Sequence, residues 1–179
     1  MQIANFAPPP AIVSLPVTVA DCADTTTETA VITVTVPPNA WGNGKSIAVQ
    51  GYFSTQNSSG GSINLTLKVK LNSSSVTIAN AVSISDSGTT GKSLRGITLK
   101  RIGNDVILLP GSSTGSDFMP NTTTLTSAAG FATNNFSTNI YTSVDFTSAI
   151  TITLTAQWSG APGDGSAFFN CLFADALKY

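Results

Sequence analysis

The chain has 179 residues with 8 Lys or Arg, 9 Asp or Glu and no His, a formal net charge of −1, and 41% hydrophobic residues. Charged residues supply only 9% of it, against about 25% in an ordinary soluble domain, so serine and threonine must carry much of its solubility. The chain is too hydrophobic and too weakly charged for disorder, and no uncharged apolar run approaches the roughly 20 residues needed to span a bilayer.

Residues 1–12 open the chain as an extended arm containing Phe6 and the run Pro8, Pro9, Pro10. Three consecutive prolines favour polyproline II and resist the interior of a sheet. The arm lacks a basic segment followed by an apolar one, so no secretory signal is expected. From there apolar residues recur with period two, the mark of half-buried strands. A short strand is expected around Leu15 to Val19. Val31 to Val36 alternates Ile32, Val34 and Val36 against Thr33 and Thr35, and Pro37-Pro-Asn39 ends it. Ser46 to Ser54 follows, with Ile47, Val49 and Phe53 on one face. Ile63 to Leu71 sets Ile63, Leu65, Leu67, Val69 and Leu71 against Asn64, Thr66, Lys68 and Lys70. Ser75 to Ile78 and Ala81 to Ile84 read as two short strands. Ser93 to Ile102 and Val106 to Leu109 flank Gly103-Asn-Asp105, a hairpin turn whose Gly and Asn tolerate positive φ.

Residues 111–148 break the rhythm. They carry few charges but retain Phe118, Phe131, Phe136, Tyr141 and Phe146. Long connections without secondary structure are usually functional or disordered, and disordered segments are poor in aromatics. The stretch therefore reads as an ordered excursion packing on the main body or on a neighbour. Ala149 to Trp158 resumes the alternation with Ile150, Ile152, Leu154, Ala156 and Trp158 inward. Ala167 to Ala174 is the last expected strand. The pattern is all-β: an antiparallel sandwich or barrel forming one domain over residues 13–179. A chain of this length buries roughly 70% of its unfolded surface, so it needs neither disulfide nor metal to hold a core.

The absence of histidine excludes Ser-His-Asp and Cys-His catalysis and the commonest general base. Two carboxylates suffice for a glycosidase. Asp21 and Asp24 are the closest loop pair, but short acids on loops mostly make turns. Asp164, or Asp21 with Asp24, also offers oxygen ligands for a cation, without resembling a dedicated calcium loop. No catalytic residue, metal or cofactor is assigned. Cys22 and Cys171 cannot build a tetrahedral zinc site. They would bond only if the first and last strands were neighbours, and two buried free thiols are the expected state.

Four basic residues, Lys92, Arg95, Lys100 and Arg101, are half of all the Lys and Arg. Strand parity puts Arg95 and Arg101 on one face, a modest basic patch for a partner; the plainer alternative is an edge strand protected by charge. A near-neutral chain is not expected to bind nucleic acid. Phe168 and Phe169 are consecutive, so they point to opposite faces, and Leu172 with Phe173 repeats this. One face lines the core; the other needs cover, from the excursion or from another subunit, which points to a homo-oligomer.

The run Thr29 to Trp41, then Lys45 to Thr55, resembles β-sandwich virion proteins of tailed bacteriophages. So do Ile150 to Trp158 and the closing Phe168 to Ala174. The resemblance implies a jelly-roll-like sandwich, often trimeric, that cements a capsid or forms part of a fibre, with no catalytic residues. On that basis the chain is expected in the virion, as a decoration protein bridging subunits of the major capsid protein. Phe6, Pro8, Pro9, Pro10, Arg95, Arg101, Phe168 and Phe169 are its candidate contacts. The alternative is a tail-fibre module holding host glycan on Trp41, Tyr52, Tyr141 or Trp158, although parity puts Trp158 in the core.

Overall fold

The structure, a computed structural model, describes residues 13–84, 86, 90–109, 140–160 and 167–179, and at 79–82 and 90–95 it describes the backbone only. In chain order the strands are β1 (Val13–Ser14), β2 (Val17–Val19), β3 (Asp21–Ala23), β4 (Thr29–Val36), β5 (Ser46–Asn57), β6 (Ile63–Leu71), β7 (Ser74–Ile84), β8 (Thr90–Ile102), β9 (Asp105–Leu109), β10 (Ile140–Tyr141), β11 (Ile150–Trp158) and β12 (Ala167–Lys178). None of the described residues is helical.

The strands form two antiparallel sheets. One runs β2-β4-β11-β6-β7; the other runs β1-β12-β5-β8-β9-β10, with β3 also on β12. The chain changes sheet at every step from β1 to β6, then between β7 and β8, β10 and β11, and β11 and β12. With β11 inserted between β4 and β6, and β12 beside β5, the two sheets form an antiparallel β-sandwich.

Period two explains the faces. Leu65, Leu67, Val69 and Leu71 of β6 are buried, as are Ile150, Ile152, Leu154, Ala156 and Trp158 of β11. From the other sheet Phe53 stacks on Phe169 with ring centroids 4.6 Å apart and planes 16° apart. Polar ends of large core residues reach backbone carbonyls. Trp158 Nε1 donates to Cys22 O at 3.2 Å, and the Tyr141 hydroxyl donates to Val69 O at 2.7 Å. Each bond spares a buried donor the cost of burial without a partner. Burial pushes the Tyr141 hydroxyl pKa well up. Residues 140–148 of the long excursion thus pack on the sandwich: Phe146 meets Trp41 edge-on at 5.8 Å. The rest of that excursion, and the arm of residues 1–12, lie outside the described residues.

Several strands differ from the expected boundaries. The two short strands over 75–84 are one bulged strand, β7, shifting register between Leu65/Leu67 and Leu67/Lys68 of its partner. A bulge opposite Leu154/Thr155 lets Val31 as well as Ile32 face inward, so β4 buries one residue more than strict alternation allows. The opening is three short strands, and β12 runs on to Lys178 because it pairs with β5 as far as Ile47. β5 continues to Asn57, whose fully buried amide donates to Gly61 O and Ile84 O and accepts from Ser59 N. The turn after β8 forms at Gly103, with φ +63°.

Gly51 lies where the sheets meet. A Cβ there would sit 2.6 Å from Ile32 Cδ1 and 2.8 Å from the Phe53 ring. Both neighbours are packed in the core, with little room to shift. Gly51→Ala is therefore expected to destabilise the fold by about 1–3 kcal/mol, read as a lower urea midpoint at unchanged slope.

Candidate functional site

With the core filled, each sheet has an outward face. On the five-stranded sheet it is an array of threonines: Thr151 pairs with Thr35, Thr153 with Thr33, and Thr18 with Thr33. One ion-pair cluster stands on it. Glu28 takes Lys68 at 2.7 Å and Lys70 at 2.5 Å, two residues on the same side of β6. The bonds to Lys68 and then Lys70 hold the Glu28 carboxyl down at about 2, from an ordinary 4.5.

The outward face of the seven-stranded sheet is different, because its middle is apolar. Tyr52 of β5 lies opposite Phe173 of β12, and the rings stack at 5.6 Å with 20° between planes. The β12 register shifts between Cys171 and Phe173, so Leu172 is extra to the ladder and 52% exposed, beside Phe173 at 57%. Large exposed apolar side chains gathered at the middle of a sheet mark an interaction surface. Phe168 lies on this face, half-buried.

The other expected contacts fall as follows. Phe169 is fully buried against Phe53, which removes it from any partner contact; of the consecutive pair, only Phe168 faces outward. Arg101 is engaged within the chain. Its Nε donates to Gly103 O at 2.9 Å, a guanidinium nitrogen donates to Trp41 O, and the group lies 3.6 Å above the Phe146 ring. That fastens the 41–45 loop and the β8–β9 turn to the 144–147 turn. The backbone of Arg95 pairs with Gly51; its side chain, like Phe6, Pro8, Pro9 and Pro10, lies outside what is described. β9 pairs with β8 over Thr98 to Ile102, so Lys100 and Arg101 stand where the strand is paired on both sides and do not protect an edge; at Lys92 and Arg95 only the β5 side is paired among the described residues.

The glycan reading loses most of its platforms. Trp41, Tyr141 and Trp158 are buried, leaving only Tyr52 on an outer face. Asp24 spends a carboxylate oxygen on Ala167 N at 2.8 Å, whereas Asp21 is exposed on β3; Asp164 lies outside the described residues. Among the described residues no group of three or more His, Cys, Asp or Glu is placed to hold a metal. Leu172 and Phe173 carry the surface, and their signal in the sequence was the adjacency of two large apolar residues on a strand.

Cys22 and Cys171 are both buried and free, although β3 and β12 are neighbours. Cys22 pairs with Phe169, so Cys171 sits on the diagonal. Diagonal positions across an antiparallel pair are roughly 7–8 Å apart, at the limit of disulfide reach. Comparisons with protein-family models, with curated proteins and with solved structures find no match for this chain.

Two outcomes follow from these electrostatics. Burial raises the Cys22 thiol pKa, and burial with the nearby Asp21 charge pushes Cys171 up to about 11. Neither is then a thiolate at neutral pH. Ellman's reagent is expected to find no reactive thiol in the folded chain and two in denaturant. Glu28 has a depressed folded-state pKa, so its ion pairs stabilise the fold above about pH 4.5 and lose this as pH falls towards 2. The cluster is partly exposed, which limits its worth to about 1 kcal/mol. Urea unfolding should show Glu28→Gln less stable by that amount near neutral pH, with the gap closing in acid.

Proposed function

We propose that this chain is a structural virion protein of a tailed phage, a capsid decoration protein that bridges subunits of the major capsid protein as a homo-oligomer. The supporting observation is how the segments that resemble such proteins come together. Thr29 to Thr55 supplies β4 and most of β5, and Ile150 to Ala174 supplies β11 and much of β12. β4 pairs with β11 in one sheet and β5 with β12 in the other. Segments about a hundred residues apart in sequence thus form two strand pairs, one in each sheet of the sandwich.

The surface suits that role. Threonine and serine stand where lysine and glutamate usually would, giving uncharged, hydrogen-bonding faces that pack against repeated neighbours without charge repulsion. The arm with Phe6 and Pro8 to Pro10 would supply reach, since extended segments wrap large surfaces. Three copies is the number the resemblance implies.

Immunogold labelling of purified virions with antibody to this chain is expected to mark the head. Labelling confined to tail tips overturns the decoration reading in favour of a fibre module. Deleting residues 1–10 should weaken capsid attachment while leaving the circular dichroism spectrum unchanged. Undiminished decoration by the truncated chain would rule out the arm as the clamp.

A further inference from the structure

The outward face of the seven-stranded sheet resolves into rows that cross the strands. One row runs Phe173–Tyr52 and on to the register position of Leu94. On one side of it lies Asp21–Asn170–Ser54 and the position of Lys92; on the other lies Asp175–Gln50–Gly96. The apolar row, with Leu172 beside it, is therefore flanked by polar rows, the arrangement of an interface centre and its rim.

Charge divides across the strands. Asp21 and Asp175 stand on β3 and β12, both exposed, while Lys100 stands on β8 next to Ser46, as does the Lys92 position next to Ser54. β5 separates the two flanks. The only ion pairs among the described residues are those of Glu28, so neither aspartate is neutralised there.

We infer that this face binds a second copy of the chain, with Tyr52, Leu172 and Phe173 at the centre and the acidic flank of one copy against the basic flank of the other. A half-turn about an axis along the strands between β12 and β5 sets Phe173 over the partner's Tyr52. The same turn sets Asp21 of β3 opposite the register position of the partner's Lys92 on β8, acid against base, and Asp175 opposite the partner's Gln50. A face with both signs on opposite sides of an apolar centre is complementary to itself, whereas one shaped for a purely acidic or basic partner carries a single sign. The three long strands β12, β5 and β8 are roughly 40 Å long and together about 14 Å wide, a footprint of about 560 Å² before β1 and β3 add to it, against the roughly 800 Å² per partner of a stable interface. A half-turn closes on itself as a two-fold pair, and the measured mass tests that number against the three copies the resemblance implies.

Sedimentation equilibrium and native mass spectrometry of the full chain are expected to show an oligomer. Phe173→Glu and Leu172→Glu should each weaken it by about tenfold or more, with the circular dichroism spectrum unchanged because both side chains are exposed. Charge reversal is the sharper arm. Asp21→Lys in one chain, and Lys92→Glu in another, should each assemble poorly alone and pair with each other when mixed. A wild-type chain that stays monomeric at every concentration overturns the inference and leaves the face to a different partner. So does an oligomer indifferent to Phe173→Glu, or a mixture that does not cross-pair. None of these readouts depends on where the chain sits on a particle, so this interface and the virion reading fail separately.

Discussion

Alternation along a strand is the constraint from which the surface of this protein follows. A residue that enters the core sends both of its neighbours outward, and the inner faces are exacting. Phe53 must meet Phe169, and Gly51 must stay bare so that Ile32 and the Phe53 ring can close over it. Committing Phe169 inward fixes Phe168 outward. The bulge in β12 then interrupts the rule once, turning Leu172 out beside Phe173 in the middle of a sheet. The apolar outer surface is thus a product of core packing plus a single extra residue.

Much of this was legible in the sequence. Strands such as Ile63–Leu71 and Ile150–Trp158 declare their faces through strict alternation, and the Gly103 turn declares itself through residues that tolerate positive φ. Bulges do not announce themselves in this way. Nothing local marks Val31 as a second inward residue in succession; its burial depends on how β4 lies against β11. The same limit governs the site. Two-faced apolar character at Phe168–Phe169 was readable, though not which member would be covered. Leu172–Phe173, expected to split in the same way, both turn outward instead, because of the register shift of β12 against β5. Arg101 shows the point for charge: its partners, Trp41 and Phe146, are distant in sequence, so a residue that looks available in a list of basic positions is already engaged.

The two outer faces divide the labour of solubility and assembly. One is a threonine field with a single Glu28–Lys68–Lys70 cluster, polar without being charged. The other places its few charges around an aromatic centre. In a chain with 9% charged residues, where those charges stand is informative, because few others mask them.

The position of β12 also has a kinetic consequence. It is made after every strand it joins, yet it lies between β5 on one side and β1 and β3 on the other. Until residues 167–178 emerge from the ribosome, Phe53 has no Phe169 to stack on and β5 offers an open hydrogen-bonding edge. Pairings this distant in sequence are slow to form, and unpaired edges are prone to mispairing in the interval. The nascent chain must therefore wait with this part of its core uncovered, and the sandwich closes only when β12 slides into the gap left for it.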